Sequence, residues 1–346
     1  MSNPNFDQVA ATTVQRYRPK LADNVTDKSA VMFYLKKNGG MEEQDGGRTL
    51  VEPTIFAENT TAGSFRDYDI IPTDPQGGIS AAEFPWAQLA VSITISGRQE
   101  FVNADNQVRI FSLLKGKTMQ AQMTMTNLFN RQSHADGTGN GGKDLTGFLA
   151  AIEDGAAWNV YGGIDSNTQL YWRNQWIGYR AFSGADLNQT DTILRQFRQI
   201  LTTFYNSMMR NTDRATLFMM GQKVHEYFES TIVVNERYVK DGNIGDSALA
   251  NAGFEVLKFK ATSMVLDNLV NNTSINPGAT NQEIEGCNTN YMKFVVGSGR
   301  NFMMSPFIRP YNQEAKVAQI ILYGQYIVNN RSLQGRMNDI DFQAGF

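Results

Sequence analysis

Between Asn103 and Ala135 the chain runs NADNQVRIFSLLKGKTMQAQMTMTNLFNRQSHA without a proline, and Val108, Phe111, Leu114, Thr118, Ala121, Met125 and Leu128 recur at spacings of three and four. That period predicts an α-helix with one apolar or small-residue stripe and a face of Gln, Thr, Asn and a few basic residues. Asn103 or Asp105 can cap its N-terminus, and the breaker GTGNGG ends it. At 1.5 Å per residue, about 30 residues make a rod roughly 45 Å long. Such a helix is either an ordinary core helix or a spine laid along a sheet, and the flanking segments favour the spine.

Upstream the period changes to two. In WAQLAVSITI (86–95), Leu89, Val91, Ile93 and Ile95 alternate with Ala90, Ser92 and Thr94, which predicts a half-buried strand. Before it, RTLVEPTIFA (48–57) reads as a strand that Pro53 confines to an edge or a free-standing ribbon. ENTTAGSFRDYD (58–69) makes a tip, and IIPTDPQGGIS (70–80) returns. Two arms of about ten residues at ~3.3 Å each reach about 30 Å from the body. An isolated ribbon is marginal in water. No other stretch obviously covers this one, so a partner subunit is expected to.

Downstream, GTGNGGKDLTGFLAAIEDG (137–155) is a glycine-rich turn followed by a short amphipathic segment, and 156–188 is aromatic-rich and loop-like. Asp191 caps a second helix whose Ile193, Phe197, Ile200, Leu201, Phe204 and Met208 share a face. ATLFMMG (215–221) is a buried strand, QKVHEYFE a short helix, and GFEVLKF, ATSMVLD, YMKFVVGS, RNFMMSPFI and VAQIILYGQYIVNN read as strands. Alternation of helix and strand over 144–297 predicts a compact α/β lobe.

Composition adds three constraints. With 346 residues, 41% hydrophobic and 19% charged, the chain is globular and has a mostly uncharged polar surface, which suits burial against neighbours. The net charge of -3 gives no overall basic bias towards nucleic acid, although residues 1–40 carry six Lys/Arg against three Asp. That stretch reads as a solvated tail or as an arm that wraps a neighbour. A single cysteine, Cys287, excludes an internal disulfide framework and fits a reducing compartment. No signal peptide or membrane-length apolar run is legible, so a soluble protein is expected.

The candidate chemistry is thin. Gly137 to Lys143 spells G-x-x-x-x-G-K, the start of a phosphate-binding loop that would make the chain a nucleotide enzyme. Asp144 stands where the magnesium-binding hydroxyl belongs, and the loop leaves a helix rather than a strand, so a hinge is the expectation. His134 and His225 are far apart, and no carboxylate or cysteine spacing completes a metal site. No catalytic, cofactor-binding or metal-binding residue is assigned, and no enzymatic activity is expected.

The stretches YLKKNGGMEEQDGGRTLVEPTIFAENTTAGSF, QGGISAAEFPWAQLAVSITISGRQE, GTGNGGKDLTGFL with YGGID, and ILYGQYIVNNRSLQG resemble the major capsid proteins of tailed bacteriophages. The resemblance runs from about residue 30 to 335 and rests on the order of these stretches rather than on one motif. It implies an α+β chain with the Hong Kong 97-like shell fold: an N-terminal arm (1–46), an extended loop (47–84), a peripheral domain with the spine helix (85–145 and 298–330), an axial domain (146–297) and a C-terminal segment (331–346) that can rejoin it.

It also implies self-assembly as pentamers and hexamers into an icosahedral shell around double-stranded DNA, within a virion built in the host bacterial cytoplasm. Phe56, Phe65, Tyr68, Ile70 and Ile71 on the extended loop are then the expected contacts with a neighbouring subunit. A separate scaffolding protein, a portal and possible decoration proteins are implied partners, and no membrane is. An encapsulin-like bacterial compartment is the alternative. Some members of the family weld subunits through a lysine on the extended loop. Between Lys37 and Lys115 this chain has no lysine, so a non-covalent shell is expected.

Overall fold

The computed structural model describes residues 30–102, 107–153, 160–178, 190–233, 256–260, 262–267, 269–270 and 282–340. Residues 1–29 of the predicted arm, and the capping candidates Asn103 and Asp105, lie outside this set, as do the side chains of Val108, Phe111 and Ile193.

The four longest helices among the described residues are α1 (Ala30–Lys37), α2 (Gln107–Ser133), α3 (Thr190–Ser207) and α4 (Gln222–Val233). The first strands are β1 (Met41–Gln44), β2 (Thr49–Ile55), β3 (Ile79–Pro85) and β4 (Ala87–Ser96). Short β5 (Val160–Tyr161), β6 (Ile164–Asp165) and β7 (Gln175–Gly178) follow α2, and β8 (Leu217–Met220) follows α3. The remaining strands are β9 (Val256–Phe259), β10 (Thr262–Leu266), β11 (Gln282–Cys287), β12 (Met292–Gly297), β13 (Met303–Met304), β14 (Ala315–Val328) and β15 (Gly335–Ile340).

The spine is α2, 27 residues and about 40 Å long. It lies on the long antiparallel pair of β4 and β14, registered from Ser96↔Ala315 to Ala87↔Gly324. The period-two pattern of β4 is realised as written: Leu89, Ile93 and Ile95 are buried, Val91 is half-buried, and Gln88, Ala90, Ser92, Thr94 and Ser96 face outward. On the helix, Ala121 and Met125 of the expected stripe are buried, whereas Leu114, Thr118 and Leu128 are half-buried. Leu113 and Phe129 are buried beside them. Phe129 meets Phe294 edge-on at 5.2 Å and stacks on Tyr326 at 6.1 Å, which ties the C-terminal half of the spine to β12 and β14. Lys117 ties the other half down by donating to the Thr94 carbonyl and to Gln99, both at 2.9 Å.

Strand order in the first sheet is β1-β12-β14-β13, with β4 on β14, and in the second it is β7-β15-β11-β8-β10-β9. β12 thus pairs with β14 in the first sheet, and β15 pairs with β11 in the second. β1, β11 and β15 had no clear sequence signal, because MEEQ, QEIEGC and GRMNDI are polar or interrupted. β8 is buried on both sides: Leu217 and Met219 join the core beneath the spine, while Phe218 and Met220 join a second core with Phe197, Leu201 and Phe204 of α3. That double burial is why LFMM is continuously apolar rather than alternating.

The ribbon is shorter than the sequence suggests. β2 and β3 pair over seven residues each, from Thr49↔Pro85 to Ile55↔Ile79, and residues 56–78 form a long irregular tip. Pro53 sits opposite Ala81 in a two-stranded sheet, where either strand is an edge.

Candidate assembly surface

The two faces of the ribbon are unlike. Leu50, Thr54, Ala82 and Phe84 are buried at its base. Phe84 meets the Tyr161 ring edge-on at 5.0 Å, and the Glu83 amide donates to the Gly162 carbonyl at 2.9 Å. Gly162 has φ +59°, and a Cβ there would strike Phe84 and Ala82, so the close approach requires glycine. Trp172 backs this contact, donating Nε1–H to the Tyr161 carbonyl at 2.9 Å. The expectation that no part of the chain covers the ribbon is corrected here: the aromatic segment 160–172 covers its base. In sequence, 156–188 reads only as aromatic-rich and loop-like, with no sign of what it packs against.

The other face and the tip are open. Val51, Ile55 and Ile79 are exposed on β2 and β3. At the tip, Tyr68 is 100% exposed and Ile70 94%, and Phe65 and Ile71 are also exposed. Phe56 differs from the other four expected contact residues: it stacks on Tyr171 of its own chain at 5.0 Å and is 37% exposed. Internal bonds shape the tip. Thr60 donates its amide (3.2 Å) and hydroxyl (2.8 Å) to Gln76, the Phe56 amide donates to the Gly78 carbonyl, and the Arg66 amide donates to Asp69.

Buried polar groups hold the ribbon base and the spine to the second sheet. Arg331 lies in the short segment between β14 and β15, wholly buried. It donates to the Ala151 carbonyl (2.8 Å), to Glu153 (2.9 Å) and to Ser166, with its guanidinium 5.0 Å from the Tyr161 ring. Burial pulls the guanidinium below its usual range, and Glu153 opposes that pull. Beside it, Asn288 and Gln334 exchange hydrogen bonds where the chain twice crosses between the sheets.

At the C-terminal end of the spine, His134 Nδ1 is 3.2 Å from Glu285 and Nε2 is 3.3 Å from Asp267, all three buried. Burial opposes the imidazolium, but Asp267 and Glu285 outweigh it and push the His134 pKa up to about 10. Sequence reasoning gave His134 no role. Glu285 is 151 residues away, and no local spacing signals the pairing. Each ring nitrogen faces a different carboxylate, so the trio is an ion-paired joint.

In the glycine-rich loop, Asn140 and Gly141 take left-handed conformations, and the Asp144 carboxylate presses against Gly139. Asp136 accepts from the Thr138 amide and hydroxyl. Carboxylates thus sit at both ends of a loop that a phosphate would need free of negative charge. Among the described residues, no helix is long and apolar enough to cross a membrane.

No protein-family model matches the chain, and no curated protein matches it by sequence. Solved structures do match. A chain of the cyanophage A-1(L) capsid asymmetric unit aligns over 95% of this chain and 97% of its own, at 14% identity and a TM-score of 0.63. The capsid of Myoviridae phage XM1 aligns over 94% and 97%, at 10% identity and a TM-score of 0.53. The capsid of a native GTA particle aligns over 93% and 94%, at 12% identity and a TM-score of 0.50. The chain has the fold of tailed-phage capsid proteins.

Proposed function

We propose that this chain is the major capsid protein of a tailed phage, of the Hong Kong 97-like type, and that it assembles as pentamers and hexamers into an icosahedral shell around double-stranded DNA. The observation that carries this is the end-to-end match to the cyanophage capsid chain. In this reading the spine and the sheet of β1, β4 and β12–β14 are the peripheral domain, and the six-stranded sheet with α3 and α4 is the axial domain. Residues 47–84 are the extended loop. Its Phe65, Tyr68, Ile70 and Ile71, with Phe56 at the root of the tip, contact a neighbouring subunit.

The role is structural rather than enzymatic: the one loop with a phosphate-binding spelling carries Asp136 and Asp144. Each subunit engages several neighbours, so modest contacts sum to a stable shell. A scaffolding protein, a portal and decoration proteins are the expected companions, with assembly in the host cytoplasm. Nuclease treatment of native particles tests the cargo. The expected result is protected double-stranded DNA inside the shell; shells that hold protein cargo and no DNA would make the chain a compartment protein instead.

A further inference from the structure

The tripeptide Asn-Gly-Gly occurs twice in the chain, at 38–40 and 140–142, and no other Asn-Gly pair is present. Such a pair carries chemistry of its own. The main-chain nitrogen of the glycine can attack Cγ of the asparagine, and glycine hinders that approach least because it has no Cβ. Whether the attack happens depends on how firmly each asparagine is held, and the fold treats the two copies differently.

Asn38 follows α1 and is held. Its Nδ2 donates to Thr289 Oγ1 at 2.9 Å, and Thr289 is itself buried and bonded to Thr216. The Asn38 amide donates to the Tyr34 carbonyl at 2.9 Å, and the Gly40 amide to the Leu35 carbonyl at 2.8 Å. Gly40 is packed so closely that a Cβ there would lie 2.9 Å from the Leu35 side chain. The carboxamide cannot turn towards Gly39 without giving up Thr289.

Asn140 lies in the glycine-rich loop after α2, whose phosphate-binding spelling the flanking carboxylates defeat. Asn140, Gly141 and Gly142 are all exposed, with φ of 51°, 70° and 78°. A Cβ on Gly141 or Gly142 would meet nothing within 4 Å. Among the described residues the Asn140 carboxamide has no hydrogen-bond partner, and the bond from the Gly142 amide to the Thr138 carbonyl is long at 3.3 Å. With ψ at 36°, the Gly141 nitrogen sits on the far side of Cα from the Asn140 side chain. Attack therefore requires rotation about ψ, and the open surroundings leave room for it.

We propose that Asn140 is a self-modification site, converted through a succinimide to a mixture of aspartate and isoaspartate, while Asn38 in the same tripeptide stays an amide. The Gly141 nitrogen bonds to Cγ, the Cγ–Nδ2 bond breaks, and the nitrogen's proton leaves with the side-chain amine as ammonia. Water then opens either carbonyl–nitrogen bond of the ring. Opening at Cγ gives aspartate; opening at the main-chain carbon gives isoaspartate, which adds a methylene to the backbone. Either product places a third carboxylate in the loop beside Asp136 and Asp144 and adds one negative charge to a chain of net charge -3. The inference stands on the chain alone and holds whether or not it builds a shell.

The test is peptide mass spectrometry of the purified full-length chain, kept for several weeks in mildly alkaline buffer at physiological temperature. Trypsin cuts after Arg131 and Lys143, so the Gln132–Lys143 peptide reports Asn140 as its only asparagine, and Asn38–Arg48 reports Asn38. The first peptide is expected to gain the mass of an amide-to-acid exchange, to split into two chromatographic forms, and to accept methyl groups from an isoaspartate methyltransferase. Asn38 is expected to convert about tenfold more slowly, since one hydrogen bond must break before attack. Asn140→Gln is expected to abolish the gain in the loop peptide. In denaturant, where neither site is held, the two are expected to convert at similar rates. Native Asn140 that keeps its amide while the denatured chain loses it would overturn the proposal, as would equal conversion of both sites in the folded chain.

Discussion

At the scale of single residues, the most consequential side chain is His134. Its two carboxylate partners raise its pKa to about 10 in the folded chain, from an ordinary value near 6.5. A raised pKa contributes stability while the imidazole is protonated. The contribution is full below pH 6.5 and is lost as pH rises towards 10. Denaturation midpoints of the unassembled chain are therefore expected to fall between pH 7 and pH 10. His134→Gln is expected to be less stable at pH 7 by about 3 kcal/mol, since two buried carboxylates lose their cation, and to lack that slope. A wild-type midpoint flat across this range would show that His134 is not charged in the joint. None of this was legible in sequence, because the trio forms only when the end of the spine meets β10 and β11. Gly162 illustrates the same blindness: YGGID reads as a turn, and only the fold shows that Phe84 needs the space.

At the scale of elements, legibility followed period and length. The spine and β4 have long, regular patterns, and both appear within a few residues of their expected positions. The choice of Leu128 over Phe129 for the buried stripe shows the limit of pattern alone. A helix side chain is buried according to where the sheet residues lie, here Phe294 and Tyr326. Strands such as MEEQ and GRMNDI have no apolar alternation, because β1 is an exposed edge and β15 is held partly by the buried Arg336–Glu283 pair. The ribbon arms were overestimated since IIPTDP looks extended by composition, yet pairing begins only at Ile79. For the spine, a proline at Met119 or Met123 removes a helical hydrogen bond and clashes with the preceding turn, costing about 3 kcal/mol or more. Either variant is expected to yield no shells by electron microscopy. Normal particles from either would mean that the continuity of the helix is dispensable.

At the scale of the whole molecule, the chain is a body of two sheets from which one two-faced ribbon projects. Its base is bound to its own chain and its tip is bare. Tyr68 and Ile70 gain nothing by standing in water, whereas burying such side chains against a neighbour contributes about 1.5–3 kcal/mol each before the entropy of ordering the tip is subtracted. No lysine lies between Lys37 and Lys115, and arginine stays protonated, so the ribbon has no amine for a lysine-derived crosslink and a non-covalent contact is expected. Mature particles boiled in detergent with reductant are expected to show one capsid band near 38.7 kDa, and a reductant-resistant ladder would contradict that.

Electron cryomicroscopy of the purified protein, with and without a co-expressed scaffold, shows whether the chain completes itself only in a closed shell. The predicted result is closed icosahedral particles in which the 49–85 ribbon of each subunit lies on an adjacent one. Monodisperse monomer at high concentration under both conditions would show that the chain is complete without a shell.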